Sequence, residues 1–150
     1  MYQGIRLKAE ALDDVEVISS LLQDAVFRVD DMGFQKSIRR FALVANRFCW
    51  EAEVLRKKKP KDKDAYQRVR AGLRFEGVLD AKFRNVPFRQ KNHVMSLLAI
   101  AVKKEKDDFI ITLTFSGNAV IRLRAELLEA YLEDITGPWD AKSKPTHPDP

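Results

Sequence analysis

Apolar and polar residues alternate with a period of two along most of the chain, and two stretches change to the helical period. Residues 4–9 place Ile5, Leu7 and Ala9 on one side, which predicts a short, half-buried strand. Asp13 with Glu16 three residues on has the spacing of a capping box. Behind it Val15, Ile18, Leu21, Leu22 and Ala25 recur at helical spacing, so residues 14–22 are expected to form a helix. Residues 25–29 predict a second strand, ended by Asp30, Asp31 and Gly33, with 34–38 as its short returning partner. Residues 41–50 are apolar on both sides, the pattern of a central strand.

Between Arg56 and Asp64 almost nothing could be buried, and Pro60 adds to the expectation of a long exposed loop. Leu73, Phe75, Leu79, Ala81 and Phe83 then share one odd register, so one strand is expected to run straight through, with Gly77 a gap where a bend or a close backbone approach is cheap. Residues 94–102 form an apolar strand and 103–108 a charged turn. Phe109, Ile111, Leu113 and Phe115 alternate with β-forming neighbours, and Ser116-Gly117-Asn118 signals a tight turn into Ala119, Ile121 and Leu123. Finally Leu127, Leu128, Tyr131, Leu132 and Ile135 recur as a helical stripe that Gly137-Pro138 would stop.

Short turns between successive strands make neighbours antiparallel, so the expected class is α+β with about seven strands, one helix after the first strand and one C-terminal helix. A bent meander closed by a terminal helix describes a pleckstrin-homology-like barrel. An open antiparallel sheet with both helices on one face is the runner-up. Residues 1–137 are expected to form a single domain, and the Pro-rich residues 138–150 a poorly ordered tail.

Composition narrows the function classes. The 150 residues are 45% hydrophobic and 33% charged, a globular balance. One cysteine, Cys49, leaves no internal disulfide and no zinc site of paired thiolates. The N-terminus lacks the apolar core of a signal peptide, and the run 94–102 is far short of the roughly 20 residues that span a bilayer. The cytoplasm is therefore the expected address, with no membrane contact and no cofactor. The net charge of +5 is uneven: residues 34–91 carry 17 Lys/Arg and 6 Asp/Glu, or +11, and the remainder carries −6. Such asymmetry implies either an anionic partner or attraction between the two parts.

Catalytic motifs are missing: no nucleophile elbow, no glycine-rich phosphate loop and no His-Glu-x-x-His. Cys49 reads as a small buried hydrophobe, His93 as an ordinary surface or edge residue, and Glu126, Glu129, Glu133 and Asp134 as a solvated face. The basic segment carries the functional case. Arg39, Arg40, Arg47, Lys57, Lys58, Lys59, Arg74 and Arg84 are the candidate contacts for an anion or partner, several of them beside an aromatic ring. Alternation in a half-buried strand produces the same interleaving, with Phe41, Phe75 and Phe83 facing the core.

The run 39–51, Arg-Arg-Phe-Ala-Leu-Val-Ala-Asn-Arg-Phe-Cys-Trp-Glu, resembles an uncharacterised bacterial family catalogued as domain of unknown function 2948. Residues 22–26, 70–75 and the span from 113–115 to 132–134 fit as well, so the resemblance runs from about Ile5 to Trp139. It implies a bacterial cytoplasmic domain and transfers no catalytic residue. On the residues themselves the sequence favours a non-enzymatic binding or protein-interaction module with an unidentified protein partner. A nucleic-acid-binding domain using the basic segment is the alternative. An enzyme with an unfamiliar site of Arg and Asp/Glu is the third reading.

Overall fold

The structure, a computed structural model, describes residues 4–49, 67–135 and 139–140. Its strands are β1 (Arg6–Ala9), β2 (Val26–Gln35), β3 (Arg40–Phe48), β4 (Gln67–Glu76), β5 (Val78–Arg84), β6 (Val94–Glu105), β7 (Asp108–Phe115), β8 (Val120–Ala125), β9 (Ala130–Asp134) and β10 (Trp139–Asp140). One helix, α1 (Leu12–Leu21), follows β1. All pairings are antiparallel, and nine strands follow one another in the order β1-β9-β4-β3-β2-β6-β7-β8-β5. β10 lies beside β4, pairing Trp139 with Arg68 and Asp140 with Gln67 inside the expected tail; residues 141–150 lie outside the described set.

The α+β class holds, but three expectations change. The stripe at 127–135 is not a helix. Ala130 and Leu132 face the core and Tyr131 and Glu133 face out, because the segment is captured as β9 between β1 and β4. Ala, Leu and Glu give it helical propensity, and the pairing on both sides overrides that preference. Without this helix, and with two free ends to the strand order, the closing cap of a pleckstrin-homology-like barrel is absent among the described residues. Residues 34–38 are not a separate hairpin partner either: β2 runs on through Asp30 and Asp31, shifts register between Phe27 and Met32, and a 3-10 turn at Lys36–Ile38 leads into β3. The strand count rises with these changes.

The sheet curls around one core. β4 is third from one end of the strand order and β5 is last at the other, yet only Gly77 separates them, so the β5 end must return towards β3 and β4. The Val78 N–H donates to the Arg39 carbonyl at 2.8 Å, which marks the return. Phe27, Phe41, Phe75, Phe115, Leu97, Leu113 and Leu132 fill the interior, all essentially inaccessible to water. Helix α1 packs Val15 and Ile18 towards β1 and β6. Its start is fixed by Asp14, not by an Asp13–Glu16 pair: the Asp14 carboxylate accepts the N–H groups of Glu10 and Ala11 at 3.0 and 3.1 Å.

The bend at Gly77 has a positive φ of 72°, and a Cβ there would come 2.8 Å from Leu127 Cγ. Gly77→Ala therefore combines a left-handed backbone with a clash, and is expected to cost about 1–3 kcal/mol. A chemical denaturation midpoint within error of the parent would show that the bend needs no glycine.

Candidate functional site

On β3 the even residues face out and the odd ones in; on β4 the core takes Val69, Ala71, Leu73 and Phe75. This leaves Arg68, Arg70, Arg74 and Glu76 on the outer face of β4, at a spacing of roughly 7 Å for each two residues. Register then places Tyr131 beside Arg74 and Lys8 beside Tyr131, while Arg6 sits opposite Glu133. The outer face of β1, β9, β4 and β3 thus gathers cations from strands distant in sequence around one tyrosine.

The guanidinium groups are held by rings and carboxylates. Arg74 lies 4.0 Å above the centre of the Tyr131 ring, and Arg68 lies 3.7 Å above Phe48. Lys8 stands 5.7 Å from the Tyr131 ring centre. Glu76 takes Arg40 Nε at 2.9 Å and Arg74 Nε at 2.8 Å on the same oxygen. Asp31 takes Arg28 at 3.4 Å and Arg70 at 3.6 Å, and Glu133 takes Arg6 at 3.2 Å. The Tyr131 hydroxyl donates to Glu129 at 2.6 Å, which raises the phenol above its ordinary range. A shallow hollow of about 270 Å³ between Arg6, Lys8, Arg74, Tyr131 and Glu133 opens on this face.

Arg68 differs from its neighbours. Its carbons and ring contact take it partly out of water, and this desolvation, only partly offset by Asp24, lowers its pKa. Its hydrogen bond goes to the Asn46 carbonyl at 3.3 Å, and no carboxylate lies within ion-pairing distance among the described residues.

Glu76 titrates against its two arginines. Burial works to raise its pKa, but the hydrogen bonds from Arg40 and Arg74 outweigh it, so the carboxyl lies below its ordinary value. A depressed folded pKa contributes stability that is complete above the unfolded value of about 4.3 and is lost as pH falls through the folded value. Glu76→Gln is expected to flatten the acid limb of the stability curve below about pH 4.3 and to leave its shape near neutrality unchanged. An identical acid limb in parent and variant would contradict this.

The sequence candidates separate. Arg40 and Arg74 lie on the outer face just described. Arg39, in the left-handed region at φ 54°, pairs with Glu126 at 2.8 Å near the Gly77 bend. Arg84 is exposed at the end of β5. Arg47 points inward and is fully buried: its Nε and Nη2 grip the two oxygens of Asp134 at 2.9 and 2.8 Å, and Nη1 donates to the Phe48 carbonyl at 3.0 Å. Lys57, Lys58 and Lys59 lie outside the described residues. Arg6, Lys8, Arg68, Arg70 and Tyr131 join the face without having been singled out. Alternation on β4 was the available signal, since Arg68, Arg70 and Arg74 interleave with Val69, Ala71 and Leu73.

The rings divide as well. Phe41 and Phe75 are buried as expected, whereas Phe83 is 38% exposed although its register points it inward. Cys49 is buried and carries no disulfide. Part of the charge asymmetry is spent inside the molecule, because Arg39–Glu126, Arg47–Asp134 and Arg70–Asp31 join the basic segment to the rest. Among the described residues no helix is long and apolar enough to cross a membrane, and no group of three His, Cys, Asp or Glu side chains could hold a metal.

A family model described as a protein of unknown function, DUF2948, matches residues 5–147. No curated protein and no solved structure matches the chain.

Proposed function

Since the chain belongs to the DUF2948 family, whose description names no activity, we propose from the geometry that it is a non-enzymatic binding module holding an acidic protein partner on the outer face of β9, β4 and β3. The observation that carries this reading is Arg68. A guanidinium partly removed from water, stacked on Phe48 and without a carboxylate in ion-pairing distance among the described residues, is a charge whose lost solvation Asp24 repays only in part, and an incoming carboxylate relieves it. Its neighbours are already oriented: Arg70 and Arg74 are held in place by Asp31, Glu76 and Tyr131, which lowers the entropy lost when a partner docks.

A protein partner is favoured over single-stranded nucleic acid because Phe48 and Tyr131 each have a guanidinium laid on one ring face, which occupies a surface on which a base would stack. The reading takes residues 1–137 as the binding unit, acting in the bacterial cytoplasm. A sequence with one cysteine, and so no internal disulfide, accords with a reducing compartment.

Polyglutamate and a single-stranded oligonucleotide, titrated separately at low and high salt, test it. Polyglutamate should bind, weaken as salt rises, and bind about tenfold more weakly to Arg68→Ala with the fold intact by circular dichroism. Oligonucleotide binding without polyglutamate binding would transfer the face to nucleic acid, and binding of neither would remove it.

A further inference from the structure

The strand order ends at β5, and that end is open. β5 pairs with β8 on one side through Val78–Ala125 and Asp80–Arg124 to Arg84–Val120. On its other side the Val78 N–H reaches Arg39, and no further backbone bond is made by Asp80–Arg84 among the described residues. Alternate N–H and C=O groups of this stretch therefore face an unfilled edge.

A cluster of apolar side chains lies at the same edge. Phe83 and Phe88 meet edge to face at 4.9 Å, and the Phe83 ring lies 6.0 Å from that of Phe41. Phe88 is 49% exposed, and Ile38, 51% exposed, sits on the 3-10 turn that touches β5. Single exposed hydrophobics are ordinary, but three beside a strand edge that is unpaired among the described residues are what side-chain pockets of an edge-binding domain look like. The charge there is mainly positive, with Asp80 as the one acidic residue on the outer row of β5. Lys82, Arg84 and Arg122 form the outer rows of β5 and β8, and none of them is in an ion pair among the described residues.

We propose that the β5 edge, with Phe83, Phe88 and Ile38, receives an extended acidic segment of a partner polypeptide as an added antiparallel or parallel strand. Main-chain bonds to Asp80–Arg84 would give affinity. An apolar side chain on the inward face would rest on Phe83 and Phe88, and carboxylates on the outward face would meet Lys82, Arg84 and Arg122. A second copy of the chain is disfavoured, since β5 against β5 brings Lys82 and Arg84 of both copies together and like charges across a strand pair repel. The site is separate from the outer face of β4 and stands whether or not that face binds anything.

The probe is a capped peptide of about ten residues alternating Glu and Val with a central Phe. Amide hydrogen exchange followed by NMR should show new protection confined to alternate residues of Asp80–Arg84, with Phe83 and Phe88 resonances shifted. Lys82→Glu with Arg84→Glu should weaken binding at least about tenfold, and so should Phe88→Ala; all three positions are exposed, so the fold is retained. The same peptide with Lys for Glu, or with N-methylated alternate residues, should not bind. No binding at millimolar peptide, protection elsewhere, insensitivity to the charge reversal, or β5-mediated dimers in sedimentation would each overturn the proposal.

Discussion

Asp134→Ala is expected to lower the unfolding free energy by roughly 3–5 kcal/mol, the range for removing one partner of a buried ion pair. The Arg47 and Asp134 side chains are 0% and 1% exposed, and the pair is bidentate, so the variant takes away the carboxylate that two nitrogens of an interior guanidinium grip. The loss extends beyond the pair. Asp134 Oδ2 also accepts the Ile5 N–H at 2.9 Å, and the Asp134 N–H donates to the Ile5 carbonyl, so the start of β1 is fixed through this residue. Arg47 on β3 and Asp134 on β9 reach each other across β4, which makes the pair a brace over three strands. Replacing both by hydrophobic residues of similar volume should restore much of the loss, because both members of the buried pair are then removed together. Urea denaturation reads both variants. A loss under about 1 kcal/mol for Asp134→Ala would mean that water reaches the pair and that the brace does not exist.

Phe27→Ala should cost a similar amount, about 3–5 kcal/mol. Phe27 on β2 and Phe115 at the end of β7 are fully buried and meet edge to face at 5.5 Å over the inner side of β6. Truncation removes the transfer free energy of the ring and opens a space that the flanking strands, hydrogen-bonded on both sides, cannot close. The geometry adds a pairwise component. In a double-mutant cycle with Phe115→Ala the coupling should be about 0.5–1.5 kcal/mol. Strict additivity in denaturant midpoints would show that the two rings act as independent fillers.

What the chain discloses in advance follows from how local each signal is. β7, its Ser116–Asn118 turn and β8 are readable because alternation and turn chemistry lie within about twenty consecutive residues and each supports the other. The break at Gly77 is only half readable: the shared odd register suggests one continuous strand and the glycine marks only where a bend is cheap, whereas a bulge between Val78 and Asp80 moves the buried position to Val78 in place of Leu79. β9 is not readable, because its strand character comes from Arg6–Ala9 and Ala71–Phe75, and its own Ala, Leu and Glu favour a helix. β2 misleads in another way: Asp30, Asp31 and Gly33 look like a turn, yet Asp31 serves as the shared carboxylate of Arg28 and Arg70 on the face of a continuous strand.

The same distinction governs the site. Charge counting located Arg40 and Arg74, since both lie in the basic segment. It also selected Arg47, whose inward direction follows from the parity of β3, with Phe41, Leu43 and Ala45 on the same side. Arg6, Lys8 and Tyr131 reach the face only because β9 joins β1 to β4, a connection that depends on the element the sequence misreports. Rings and guanidinium groups next to each other in sequence were not the ones that stack: Arg68 covers Phe48 and Arg74 covers Tyr131, both across strands.

The most direct measurement is a titration of a short capped polyglutamate peptide into the ¹⁵N-labelled chain, followed by NMR. Shifts concentrated on Arg68, Arg70 and Arg74 and on their neighbours Phe48 and Tyr131, suppressed by salt and by Arg68→Ala, are the predicted result. Saturable binding whose shifts leave β4 and β9 untouched would contradict the assignment of that face to an acidic partner.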